Sequence, residues 1–121
     1  MEHKFTIGNW VNEPFPMQVV SVFQDEIYCN FEGNEGDVFE FKNEDVKPIQ
    51  LTPEVLEKCG FKKDRNGYSL DDMYNLSFAI TKNGDFLACF LDRSLDLIIH
   101  HLHQLQNLYF ALTGEELIYK P

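Results

Sequence analysis

Three imidazoles crowd one short stretch: His100, His101 and His103. Histidine changes charge near neutral pH and is a common metal ligand. On a helix, His100 and His103 would share a face at a spacing of three, and one further carboxylate would complete a zinc-type set. The sequence has no His-Glu-x-x-His pattern to supply it. The metal assignment is therefore none, and these histidines are read as buried or edge groups satisfied by backbone. A histidine–cysteine nucleophile pair would need a tertiary contact. Cys29, Cys59 and Cys89 stand 30 residues apart, which fits no zinc or redox spacing. They read as reduced, mostly buried thiols of a cytoplasmic protein. Gly-x-Gly-x-x-Gly, phosphate-loop and Gly-x-Ser-x-Gly patterns are missing from the sequence. No catalytic residue and no cofactor is assigned, and the chain is read as a non-enzyme.

Charge gives a second set of candidates. Residues 24 to 45 hold eight acids, Asp25, Glu26, Glu32, Glu35, Asp37, Glu40, Glu44 and Asp45, against the single base Lys42. That is −7 of a net −10, so this segment is the acidic pole of the molecule. Such a surface repels nucleic acid and attracts basic surfaces. It would serve to mimic a phosphate backbone, to dock a basic protein, or simply to solvate the fold. The run from Glu32 to Asp37 lacks the ligand spacing of an EF-hand loop. The acidic surface is assigned to Glu32, Glu35, Asp37 and Glu40.

The opposite anomaly follows. From Leu97 to Gly114 there is no Asp, Glu, Lys or Arg. Leu102, Leu105, Leu108, Tyr109 and Leu112 fall on one helical arc. His103, Asn107 and Phe110 line another stripe, with Gln106 beside it. Uncharged polar groups tolerate burial better than charges do, because they are satisfied by hydrogen bonds. The helix is expected to be wrapped by a sheet, covered by a second copy of the chain, or to line a ligand groove. His103, Gln106, Asn107 and Phe110 are the candidate binding residues.

The elements that must position these groups are short. Phe5–Val11, Gln18–Phe23, Ile27–Phe31 and Asp37–Lys42 read as strands, the last two with period-2 alternation around a Gly33–Gly36 loop. Strands this short within 50 residues suit a small bent sheet or SH3-like barrel, which removes exposed edges. A helix follows. Thr52 caps it, Pro53 opens it, Leu51 and Leu56 staple it, and Gly60 ends it. Asn66-Gly67 and Asn83-Gly84 predict two-residue hairpin turns. In the longer hairpin that turn sets Lys82 against Asp85, Ile80 against Leu87 and Phe78 against Cys89. Leu97–Ile99 and Glu116–Lys120 are further short strands, and Thr113-Gly114 stops the uncharged helix.

With 121 residues, 44% hydrophobic and 14% aromatic, the chain suits one compact domain and is too apolar to be disordered. No apolar run reaches the roughly 20 residues of a membrane helix. The N-terminus has no apolar signal-peptide core. Sparse Lys and Arg argue against direct nucleic-acid binding.

Three stretches carry a likeness: Ile7-Gly8-Asn9-Trp10-Val11, the run from Pro48 to Phe61, and above all the run from His103 to Leu117. Together they resemble a family of small uncharacterised proteins of Bacteroides-type gut bacteria and their phages. The resemblance implies a prophage or mobile-element context and carries over no catalytic residue.

The expected fold is thus α+β in one globular domain, residues 1–121. An SH3-like sheet spans 4–50, and 51–121 hold a short helix, β-hairpins and a C-terminal helix packed on the sheet. The expected role is that of a non-enzymatic interaction or accessory protein in the cytoplasm, with a protein partner or a second copy as homodimer. It is not expected to contact nucleic acid or membrane. The alternatives are an acidic DNA-mimic inhibitor of a DNA-binding protein, and a small enzyme or ligand-binding protein using His103 and Asn107.

Overall fold

A computed structural model describes residues 5–12, 16–31, 36–65, 67–70, 76–91 and 93–121. The fold is α+β, with two antiparallel sheets of four and five strands and, among the described residues, two α-helices. The chain divides into two compact units, residues 1–49 and 50–121.

The first unit is a four-stranded meander: β1 (Trp10–Asn12), β2 (Pro16–Val22), β3 (Glu26–Asn30) and β4 (Phe39–Lys42), in that spatial order. Alternation puts one side of each strand inward. Val11, Met17, Val19, Ile27 and Cys29 form the core with Phe5 and Val46, and Phe31 and Phe41 pack against it. Register shifts by one residue between Val19 and Ser21, a bulge that sharpens the local bend. The strand expected over Phe5–Val11 begins only at Trp10. Before it the chain turns: Gly8 has a φ of 95°, and the buried Asn9 accepts from the Thr6 amide through Oδ1 at 2.8 Å. The Gly33–Gly36 loop, with Glu32 and Glu35, falls outside the described residues except for Gly36.

The second unit opens with α1 (Pro53–Lys58). Thr52 Oγ1 accepts from the Val55 amide at 3.2 Å, and Gly60 takes the left-handed conformation at φ 94°. Five strands follow in sequential order: β5 (Phe61–Lys63), β6 (Gly67–Leu70), β7 (Leu76–Ile80), β8 (Phe86–Phe90) and β9 (Arg93–Ile99). The chain then forms α2 (Leu102–Thr113). Phe61, Tyr68, Leu76, Phe78, Ala88 and Ile99 are buried on this sheet. Phe61–Phe78 and Phe78–Phe86 ring contacts, at 5.6 and 6.1 Å, join β5, β7 and β8.

The Asn83-Gly84 turn differs from expectation, while Asn66 of the other Asn-Gly pair lies outside the described residues. In the β7–β8 hairpin Phe78 pairs with Ala88 and Ile80 with Phe86, not with Cys89 and Leu87. The Gly84 amide donates to the Thr81 carbonyl at 2.9 Å, and Gly84 is left-handed at φ 84°. Asn-Gly thus ends a three-residue loop closed between Thr81 and Asp85 rather than forming a two-residue turn. One residue of slip exchanges the faces of one strand against the other. Leu76 and Phe78 therefore share their side with Phe86, Ala88 and Phe90. In the β5–β6 hairpin Gly67 belongs to the strand and pairs with Ala79 on β7. Glu116–Lys120 adds no ladder to the sheet, although its alternation persists: Leu117 and Tyr119 are buried and Ile118 is exposed. The Lys120 amide donates to the Lys58 carbonyl at 3.1 Å.

Candidate functional site

The imidazole cluster forms at the junction of β9 and α2. The Leu51 amide donates to the His100 carbonyl at 2.9 Å, extending the sheet by one short bridge. His101 is the extended residue that caps α2. Gln104 Oε1 accepts from the amides of both His100 and His101, each at 3.1 Å. It thereby takes up two backbone donors where the sheet ends and the helix starts. His100 stands before the helix, so it does not share a helical face with His103 as the spacing suggested. The rings of His101 and His103 stack at 5.7 Å and 19°. Gly114, left-handed at φ 74°, closes the helix: its amide donates a hydrogen bond to the Phe110 carbonyl at 2.8 Å.

The four candidate binding residues of α2 do not share one environment. His103 is 4% exposed and Gln106 is 8% exposed, beside Leu102, Leu105 and Tyr109. Asn107 is half-buried, while Phe110 is 55% exposed. The buried face is therefore turned from the all-leucine arc toward the imidazole and amide, and Leu108 and Leu112 are only half-buried. The absence of charge along the helix is accounted for where His103 and Gln106 enter the interior. Among the described residues no three His, Cys, Asp or Glu side chains gather as a metal set.

The cysteines are free thiols, Cys29 and Cys59 buried and Cys89 half-buried. Burial pushes Cys29 up to about 11 and Cys59 up to about 12. Neither is a nucleophile near neutral pH, since the thiolate is the reactive form.

The acidic surface is assembled by β3 and β4. Their register pairs Tyr28 with Glu40 and Glu26 with Lys42. Glu40 therefore lies diagonal to Glu26 on the face turned from the core. The two carboxyls share a hydrogen bond. That bond, with the Glu40 charge, raises Glu26 above the usual glutamate range, against the lowering pull of Lys42. The Tyr28 hydroxyl is raised as well, first by burial and then by the charges of Glu40 and Glu26. Asp25, Asp37, Glu44 and Asp45 are exposed on the same unit. Of the four residues assigned from sequence, Asp37 and Glu40 are placed here and both are exposed; Glu32 and Glu35 lie outside the described residues. Glu26 and Tyr28 were the partners left out. Their signal was present in the alternation Glu26, Tyr28, Asn30 opposite Ile27 and Cys29.

Exposed aromatic surface occurs on the same strands, with Phe39 on the core face of β4 opposite to Glu40. Phe39 is 40% exposed and stacks on Phe31 at 5.6 Å and 22°. Phe23 packs edge-on against Tyr28 at 5.4 Å. Val38, which precedes β4, is exposed. No helix among the described residues is long and apolar enough to cross a membrane. Compared with family models, curated proteins and solved structures, the chain has no match.

Proposed function

We propose that this chain is a non-enzymatic interaction protein whose four-stranded unit docks a basic surface of a partner protein. One observation carries the reading: exposed carboxylates and exposed aromatic side chains occur together on β3, β4 and the residues flanking them. Charge alone solubilises a surface, whereas charge bordering apolar contact area suits recognition. In this reading the bulged, bent meander is an SH3-like platform acting in the cytoplasm, in the prophage or mobile-element context implied by the resemblance. The uncharged helix is then structural, because His103 and Gln106 are buried within the chain.

The test is binding of a fluorescent Lys-rich peptide at low and moderate salt. Neutralising Asp37, Glu40, Glu44 and Asp45 together should weaken binding about tenfold at low salt, as loss of local charge steering does. Neutralising Glu54, Glu57, Glu115 and Glu116 on the other unit changes net charge equally and should leave affinity nearly unchanged. Equal losses in the two variants would refute a localised docking surface. Displacement of a basic DNA-binding protein by duplex DNA would mark the phosphate-mimic form of the same surface.

A further inference from the structure

The acidic unit ends on an open strand. β4 is last in the order of its sheet, so no strand among the described residues pairs with its outer side. The Asn43 amide donates to the Asp25 carbonyl at 2.9 Å, in line with the β3–β4 register. Bonded and non-bonded pairs alternate along an antiparallel ladder. Counting from that bond, Phe41 and Phe39 bond to Ile27 and Cys29. Glu40 then turns its amide and carbonyl outward, away from β3, and Lys42 its amide; the Lys42 carbonyl opens the 3-10 turn Asn43–Asp45.

The two faces of this edge differ in chemistry. Phe39 and Phe41 stand on the side of the core residues Ile27 and Cys29, and Phe39 remains partly uncovered. Glu40 stands on the other side with Glu26 and Tyr28, where two carboxyls press together and Lys42 is the neighbouring cation. Natural edge strands are usually blunted by charge, proline or cover, because open donors and acceptors invite pairing. Here the charge present is mostly negative, which excludes acidic strands and admits basic ones.

We propose that the outer edge of β4 takes an extended segment of the partner protein by strand addition, and that this segment alternates apolar residues with Lys or Arg. Main-chain bonds to Glu40 and Lys42 supply the common affinity. Apolar residues on the inner face cover Phe39 and lengthen the core side of the sheet. Cationic residues on the outer face lie beside Glu40 and Glu26 and offset the repulsion between those carboxyls. The proposal rests on the acidic unit being the docking surface, and it names the form of the ligand.

The experiment uses the full chain and an eight-residue peptide alternating Val and Lys. Its control is the same peptide N-methylated at alternate residues, which keeps charge and apolar content but removes donors along one edge. The unmodified peptide should bind about tenfold tighter. Lys42→Pro separates the two forces. Lys42 has φ −69° and ψ 141°, which proline adopts without strain, and its amide points outward in this register. The variant removes a positive charge and an edge donor together. Strand addition predicts about fivefold weaker binding, the worth of one main-chain bond. Charge attraction alone predicts tighter binding. Lys42→Gln, which keeps the amide, should bind tighter than the parent, and thermal unfolding of both variants verifies the fold. If the methylated and unmodified peptides bind equally and Lys42→Pro tightens binding, strand addition is overturned while acidic docking stands. If neither peptide binds at any salt concentration, acidic docking itself falls.

Discussion

Gly67→Ala tests the packing of the five-stranded sheet at one atom. Gly67 sits on β6 opposite Ala79 of β7, and it is buried. A β-carbon there would fall on the Phe78 carbonyl oxygen, with the carbonyl carbon at 2.9 Å and Ala79 Cα at 3.2 Å. These are backbone atoms of a neighbouring strand, so no rotamer change relieves the overlap. β6 must move from β7 by on the order of 1 Å to restore contact distance, enough to break a ladder hydrogen bond. Overpacking costs about 1–3 kcal/mol and one lost bond about 1 kcal/mol more, for a total near 3 kcal/mol. For a unit of this size that corresponds to a fall in Tm of roughly 12–24 °C. Differential scanning calorimetry measures it, with Gly36→Ala as the control. A β-carbon at Gly36 meets nothing within 4 Å, so that variant should melt within about 2 °C of the parent. If Gly67→Ala also melts within 2 °C, the β6–β7 register is wrong.

Other substitutions probe the two candidate surfaces. His103→Ala and Gln106→Ala should each destabilise by about 1–3 kcal/mol in urea unfolding, because both remove buried polar groups from α2; Phe110→Ala, at an exposed position, should change stability by less than about 0.5 kcal/mol. Gln104→Ala should cost about 1 kcal/mol through loss of the acceptor shared by His100 and His101. Native labelling with a maleimide at pH 7 should spare Cys29 and Cys59, whose thiols are buried and raised, and full labelling should require denaturant. Glu26 is raised in the folded state, so the folded chain holds its proton more tightly than the unfolded one. Its contribution is present in full below the ordinary glutamate range and is lost as pH rises through the raised value. Glu26→Gln should therefore gain stability relative to the parent as pH increases across that window, and a flat difference from pH 3.5 to 7 would refute the carboxyl pair.

Local punctuation was the legible part of this fold. Thr52, Pro53 and Gly60 bound α1 where their chemistry demands, and Gly114 stops α2. Alternation likewise placed Ile27 and Cys29 inward. What failed was any inference that needed a turn type to set register. Asn83-Gly84 fits both a two-residue turn and the end of a three-residue loop, and the difference exchanges a whole strand face. Gly67 misled for another reason: it is glycine because a neighbouring backbone passes close, which no local pattern reveals. The buried side of α2 was legible as an uncharged segment, but leucine spacing alone aimed it wrongly. His103 and Gln106 enter the interior, where an uncharged polar side chain costs less than a charged one.

These outcomes shift where function is sought. An uncharged helix suggested a hidden contact surface, yet His103 and Gln106 are already buried within the single chain, so the composition of the segment needs no outside partner. The acidic edge is different in kind. Placing Glu40 diagonal to Glu26 sets like charges together, which opposes folding at neutral pH, and leaving Phe39 40% exposed forgoes part of its burial. Neither feature is required by the core of Val11, Met17, Val19, Ile27 and Cys29, which closes beneath them. Features that weaken an isolated fold are the ones a ligand of opposite charge and matching apolar surface would relieve. That asymmetry is the reason for assigning recognition to β4 and scaffolding to α2.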